Sequence, residues 1–97
     1  MNRISAIMAI QDYILDIKEP KWNWRMSRFE QCSYSRWAAN EVLKYVRSHK
    51  DISPIMAIEE FIAKMDYFSC LNPNSSYGFS VAHDIAEDIL DIFIAAQ

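Results

Sequence analysis

Four carboxylates near the end of the sequence have the spacing most suited to chemistry: Asp84, Glu87, Asp88 and Asp91. Residues at i, i+3, i+4 and i+7 share one face of a helix, so these side chains would crowd together. Grouped oxygen ligands of this kind can hold Mg²⁺ or Mn²⁺. The same spacing is typical of a solvated acidic face, and the separation of polar from apolar residues in this segment favours that interpretation.

A second acidic pair, Glu59-Glu60, lies earlier in the chain. Together with Asp88-x-x-Asp91, this pair loosely resembles the two acidic motifs of the all-α nucleotide pyrophosphatases of the MazG and dUTPase type. The resemblance implies a metal-dependent nucleotide hydrolase. Its metal ligands would be Glu59, Glu60, Asp88 and Asp91. The sequence departs from the family pattern at two positions, since Ala63 stands where a third acidic ligand belongs and Asp88 replaces a glutamate.

Histidine and cysteine, the other common metal ligands, are scarce: the sequence holds only His49, His83, Cys32 and Cys70. His83 precedes Glu87 by one helical turn, a spacing that can ligate a transition metal. The four residues are otherwise isolated, whereas zinc modules use close pairs and small secreted domains use more disulfides. We therefore predict buried, reduced cysteines and neither a zinc site nor a bound cofactor.

Basic and aromatic residues alternate between positions 18 and 50. This stretch holds eight Lys/Arg against three Asp/Glu, a net charge of +5, and all three tryptophans. Trp and Arg are abundant at protein-interface hot spots. Cations with stacking rings also suit single-stranded nucleic acid, although the acidic pI of about 5.2 counts against a dedicated DNA binder. A third interpretation is that the tryptophans fix an irregular connection onto the domain. The candidate interaction surface consists of Trp22, Trp24, Arg25, Arg28, Arg36 and Trp37.

The single glycine, Gly78, excludes several classes of protein. Phosphate-binding loops and dinucleotide-binding turns need several glycines, and so do the tight turns of an all-β fold. With 52% apolar residues, the 97-residue chain suits one helical domain over residues 1–97. No segment approaches the roughly 20 apolar residues of a membrane span, and the first residues lack a signal-peptide pattern. We therefore expect a cytoplasmic protein that does not contact a membrane.

Helical periodicity predicts an all-α fold, a compact bundle of four main helices. The first predicted helix covers residues 3–18 and is stopped by Pro20. A short additional helix is predicted after Pro20, with Ser27 as the first residue of a capping box. The second main helix covers residues 36–49 and uses Ser35 as its cap.

The second half of the chain predicts two more helices. The third covers residues 54–69, with Ser53 as the cap and a proline at the first helical position. Residues 70–79 are dense in turn formers and are predicted to be a loop. The fourth helix covers residues 81–96 and uses Ser80 as its cap. On these helices the residues predicted to face inward are Ile55, Ile58, Phe61, Ile62, Met65 and Phe68, then Val81, Ala82, Ile85, Ala86, Ile89, Ile92 and Phe93.

The first predicted helix is apolar over more of its circumference than one contact face requires. Residues 1–50 carry nine Lys/Arg against five Asp/Glu, a net +4, whereas residues 51–97 carry one against eight, a net −7. Both features predict self-association as a homodimer through this helix, with Ile7 and Ile10 in the interface. The predicted function is a non-enzymatic interaction or regulatory module acting through protein contacts. A single-stranded nucleic-acid binder and the metal-dependent hydrolase are the alternatives.

Overall fold

Four α-helices pack side by side around a shared apolar interior. The computed structural model describes residues 2–17, 28–71 and 76–96, without the side chains of 28–32, 76 and 77. The helices are α1 (Arg3–Leu15), α2 (Arg28–Ser48), α3 (Pro54–Leu71) and α4 (Ser76–Ala95). The described residues contain no strand, and the predicted all-α class with four main helices is confirmed.

Two helices begin at a side chain that accepts a backbone N–H. Asn2 Oδ1 accepts the N–H of Ser5 at 2.8 Å at the start of α1, and Ser53 Oγ accepts the N–H of Met56 at 3.2 Å at the start of α3. These bonds satisfy donors that have no partner within the helix. Pro54 occupies the first position of α3, where its missing N–H costs nothing. The predicted cap at Ser53 is therefore confirmed.

The prediction of a break before the second helix is wrong. α2 runs without interruption from Arg28 to Ser48, so Ser35 is an interior residue of the helix and not its cap. Its side chain is buried on the same face as Ala38, Ala39 and Val42. Packing against the other helices therefore outweighs the preference of this serine for a helix cap. The predicted cap at Ser27 lies outside the described residues.

The predicted loop over residues 70–79 is mostly wrong as well. α3 continues to Leu71 and α4 begins at Ser76, so Ser80 lies inside α4. Trp37 of α2 packs close to this first turn. A Cβ placed on Gly78 would lie 4.0 Å from Trp37 Cζ3, which is ordinary van der Waals contact. α1, by contrast, is shorter than predicted and ends at Leu15.

The core is one continuous cluster to which all four helices contribute. Its largest fully buried side chains are Phe93, Ile10, Ile58, Ile89, Val42 and Val46. On α3 the predicted inner residues Ile58 and Phe61 are buried, and Ile62 and Met65 are partly buried against the core. Each large apolar side chain that is removed from water contributes about 1.5–3 kcal/mol.

Two residues predicted to face inward are exposed. Ile92 shares the angular position of Val81 and Ile85 on α4, yet 42% of it is accessible. No described helix therefore covers this side of α4 in its last turns. Phe68 is likewise exposed near the end of α3, where α3 continues beyond the buried part of the core.

Arginine side chains tie the ends of α1 to α2. The Arg3 guanidinium donates to the carbonyl oxygen of Val46, and also to that of Ile52 at 2.7 Å. At the other end of α1, Arg36 Nη2 lies 3.5 Å from the Ile17 carbonyl oxygen. The start of α1 thus meets the end of α2, and the two helices are antiparallel. A cation near the last carbonyls of a helix also interacts favourably with the helix dipole.

Candidate functional site

Only part of the predicted basic and aromatic surface can be placed. Trp22, Trp24 and Arg25 lie outside the described residues, and so does the side chain of Arg28. Arg36 and Trp37 are both exposed on α2, Trp37 to 42%. One edge of the Trp37 ring packs beside Gly78, and the rest of the side chain is exposed to solvent. That the six residues form one surface for protein or nucleic acid stays a prediction.

The four carboxylates of the hydrolase resemblance have different neighbours. Glu60 accepts a hydrogen bond from the Tyr45 hydroxyl of α2 at 3.1 Å, whereas Asp88 accepts one from the Tyr13 hydroxyl of α1 at 3.1 Å. Glu59 and Asp91 are exposed. Among the described residues, no group of three or more metal-ligating side chains includes any of these four. A hydrolase centre built on them would require the side chains to rearrange, and it stays a prediction.

The contact between Tyr13 and Asp88 joins α1 to α4. Burial raises the pKa of the Tyr13 phenol well above its usual range, and the negative charge of Asp88 and the hydrogen bond to it raise this pKa further. The phenol therefore remains protonated and donates to the carboxylate. Asp88 is half-buried, whereas the other carboxylates of the α4 face are exposed as a solvated face predicts.

Metal-ligating side chains come together around His83 of α4. His83 Nε2 lies 3.1 Å from Asp66 Oδ1 of α3 and 3.5 Å from Glu87 Oε1, and His83 Nδ1 lies 3.6 Å from Asp84 Oδ1. One ligand atom from each of His83, Asp84 and Glu87 lies within 4.8 Å of the other two. We call these four residues the His83 cluster. The imidazole is mostly buried, while the three carboxylates are about half exposed or more.

A shallow pocket of about 140 Å³ opens beside the His83 cluster, between α3 and α4. Asp66, His83 and Asp84 line it with polar atoms, while Met65 and Phe79 contribute apolar surface. The sequence indicated the pairing of His83 with Glu87, since both lie on one helix. It gave no sign of Asp66, because only the packing of α3 against α4 brings that carboxylate to the imidazole.

The two most exposed aliphatic side chains of the described residues, Ile4 and Leu15, lie on α1, and Met8 lies between them. Ile4 is 73% exposed, Met8 58% and Leu15 76%. Together with exposed Gln11, they are spaced by four, three and four residues and follow one line on the helix surface. This α1 stripe, consisting of Ile4, Met8 and Leu15, lies opposite the residues of α1 that enter the core.

The residues of α1 that are exposed to a partner differ from the predicted ones. Ile10 is fully buried and Ile7 is partly buried against the core, so the prediction that both lie at an interface is wrong for Ile10. The physical reason is that α2 and α4 cover that side of α1. The excess apolar surface predicted for the first helix is nevertheless present, on the opposite face.

The prediction of buried cysteines fails for Cys70. This residue is exposed and its thiol is free. Its position follows from the extension of α3 beyond the predicted end of the helix, which carries Cys70 and the exposed Leu71 past the core. The side chain of Cys32 lies outside the described residues.

Comparison with known proteins gives no relative from which a function could be transferred. No protein-family model, curated protein or solved structure matches this chain. No helix in the described part combines the length and the apolar character that crossing a lipid bilayer requires. An inference about function therefore starts from the surface features of the structure itself.

Proposed function

We propose that this domain is a protein-interaction module that forms a homodimer through α1. The observation that carries the proposal is the α1 stripe, three large aliphatic side chains that are each more than half exposed on one line of the helix. Monomeric proteins rarely expose a contiguous apolar patch larger than a few hundred Å², and larger patches mark interaction sites. A second copy of α1 would cover the stripe with the same residues.

The spacing of the stripe suits pairing with another helix. Ile4, Met8, Gln11 and Leu15 are separated by four, three and four residues, which is the spacing of the seam in a two-stranded coiled coil. Gln11 adds a polar side chain at one position of this seam. A polar residue at such a position restricts the register of the two helices, because a shifted register would leave the amide against apolar side chains.

Charge on either side of α1 favours one orientation of the two copies. The Arg3 and Arg36 contacts place α2 on one side of α1, and the Tyr13–Asp88 contact places α4 on the other. The described side chains of α2 carry three positive charges against one negative, whereas α4 carries four negative charges and no Lys or Arg. Twofold pairing with parallel α1 helices brings α2 of each copy towards α4 of the other. Antiparallel pairing brings like charges together, so we infer the parallel arrangement.

Sedimentation equilibrium at tens of micromolar tests the proposal directly. The wild-type chain should sediment at twice its mass of 11.4 kDa. Ile4→Glu and Leu15→Glu should each give monomers, because either substitution places two like charges in the apolar seam of a parallel pair. Met56→Glu is the matched control, since Met56 is 53% exposed on α3 and should not affect the dimer.

A wild-type chain that sediments at the monomer mass at both low and moderate salt would contradict the proposal. Dissociation by Met56→Glu to the same extent as by Ile4→Glu would contradict the assignment of the interface to α1. We propose a cytoplasmic setting for the dimer, where the exposed free thiol of Cys70 would stay reduced.

A further inference from the structure

We propose that the last turns of α3 and the first turns of α4 form a second docking surface, which binds a basic amphipathic helix of a partner protein. We call this surface the α3–α4 patch, and it consists of Tyr67, Phe68 and Leu71 of α3 and Phe79 of α4. It shares no residue with the α1 stripe. The proposal therefore goes beyond the dimer and does not depend on it.

Aromatic rings form a continuous row across the α3–α4 patch. The ring centroids of Tyr67 and Phe68 lie 5.9 Å apart, and those of Phe68 and Phe79 lie 5.8 Å apart, which are the separations of aromatic pairs in contact. Tyr67 is 62% exposed and Phe68 is 39% exposed. Leu71, one turn further along α3, is 58% exposed. The patch therefore displays several large apolar side chains together, and aromatic side chains of this kind are frequent anchors of protein interfaces.

The shallow pocket beside His83 is continuous with the α3–α4 patch, because Phe79 belongs to both. Met65 extends the apolar wall of the pocket, whereas Asp66 and Asp84 line it with carboxylates. Lys and Arg combine an apolar stem with a cationic head, and a cation also interacts favourably with the face of an aromatic ring. A Lys or Arg of a partner would therefore lay its stem against Phe79 and place its head near the two carboxylates.

The charge of the two helices selects a basic partner. α3 and α4 together carry seven Asp and Glu residues and one cation, Lys64. The Lys64 ammonium lies 4.9 Å from the centroid of the Tyr45 ring of α2. An acidic surface attracts a basic partner and repels an acidic one, which raises the association rate and determines the choice of partner. An acidic segment on the patch would also place like charges beside Asp66 and Asp84.

The arrangement of apolar and acidic side chains fits a helix as the bound segment. An amphipathic helix docks with apolar side chains at i, i+3, i+4 and i+7, which form one face. Cations beside this face would lie on one edge of the helix. Such a helix would cover the row of rings from Tyr67 to Phe79 and reach Asp66 and Asp84 at the same time.

Fluorescence anisotropy with the full chain tests the surface. The probe is a labelled peptide of about 16 residues with leucines at helical spacing and lysines beside them. We expect binding in the micromolar range at low salt, and no measurable binding of the same peptide with Glu in place of each Lys. Tyr67→Ala and Phe68→Ala should each weaken binding about fivefold or more. The double variant Asp66→Asn with Asp84→Asn should weaken binding and reduce its dependence on salt, because the carboxylates attract the lysines.

Two variants are matched controls. Met56→Ala removes an exposed apolar side chain near the start of α3, and Asp91→Asn removes an exposed carboxylate of α4 outside the pocket. Both, and the dimer variant Ile4→Glu, should bind the lysine peptide as tightly as the wild type. The proposal is overturned if the wild type does not bind this peptide, if the glutamate peptide binds equally well, or if Tyr67→Ala and Phe68→Ala both bind unchanged. Loss of binding in Ile4→Glu with unchanged binding in Tyr67→Ala would assign the peptide to the α1 stripe and would also overturn it.

Discussion

The hydrogen bond between Tyr13 and Asp88 is a polar contact between α1 and α4. Tyr13→Phe keeps the ring and removes only the hydroxyl that donates to Asp88 at 3.1 Å. We expect this change to lower the free energy of unfolding at neutral pH by about 0.5–1.5 kcal/mol, the usual net value of one hydrogen bond. Urea denaturation of the two proteins measures the difference directly. An unchanged midpoint would show that the bond does not hold α1 against α4.

The same pair predicts a pH dependence with a definite sign. The pKa of Tyr13 is raised in the folded chain by burial and by Asp88, while an unfolded tyrosine titrates near 10. The unfolded chain therefore loses this proton first, and the contribution of the phenol is complete below about pH 10 and declines above it. The stability difference between wild type and Tyr13→Phe should narrow as the pH rises above about 10. Parallel stability curves from neutral pH to pH 11 would contradict this assignment.

Two phenylalanines one heptad apart on α3 test where the core ends. Phe61 is buried and its ring contacts the Tyr45 ring edge-on at 5.8 Å between centroids, whereas Phe68 is 39% exposed. Phe61→Ala should cost about 3–5 kcal/mol, a large part of the stability of a small domain. Phe68→Ala, the matched control, should cost much less. Equal costs in chemical denaturation would show that α3 buries a different face.

At the scale of helices, the sequence was most informative where the signal is local. The Ser53-Pro54 pair indicated the start of α3 correctly, because a cap and a proline at the first position act within one turn. Ser35 and Ser80 have the same cap chemistry but lie inside helices. Ser35 is buried there, so packing outweighs its preference for a cap position. The side chains around His83 show the same difference between local signals and tertiary packing. The pair of His83 and Glu87 follows from helical spacing, whereas Asp66 joins it only through the packing of α3 on α4.

Gly78 offers a test of the longer α4. The residue lies in the first turns of the helix, and an added Cβ would meet nothing closer than Trp37 Cζ3 at 4.0 Å. Gly78→Ala should therefore raise the free energy of unfolding by about 0.5–1 kcal/mol, because alanine has the higher helix propensity and restricts the unfolded chain. A higher midpoint in thermal or urea unfolding checks this expectation. A clear loss of stability would indicate that residue 78 is in a turn, as the sequence alone suggested.

At the scale of the whole molecule, the orientation of the proposed dimer follows from the unequal charge of α2 and α4 on either side of α1. Ile4→Cys, introduced with Cys32→Ser and Cys70→Ser, distinguishes the two arrangements by disulfide formation under mild oxidation. In the parallel pair, residue 4 of one copy meets residue 4 of the other. In the antiparallel pair it meets residue 15, and the two cysteines are then about 16 Å apart, beyond the roughly 7 Å that a disulfide can span between Cα atoms.

The expected result is rapid cross-linking of Ile4→Cys, and of Leu15→Cys in the same background, with none for the control Met56→Cys. Salt should slow the association of the parallel dimer, since screening weakens attraction between the basic and acidic sides. It should change the dimer equilibrium much less, because the stripe of Ile4, Met8 and Leu15 contributes mainly by burial. Cross-linking only in a mixture of Ile4→Cys with Leu15→Cys would establish the antiparallel arrangement instead. In that arrangement α2 of one copy faces α2 of the other, and α4 faces α4. The like charges of the facing helices would then have to lie more than a Debye length apart, about 8 Å at physiological salt, so that salt screens their repulsion.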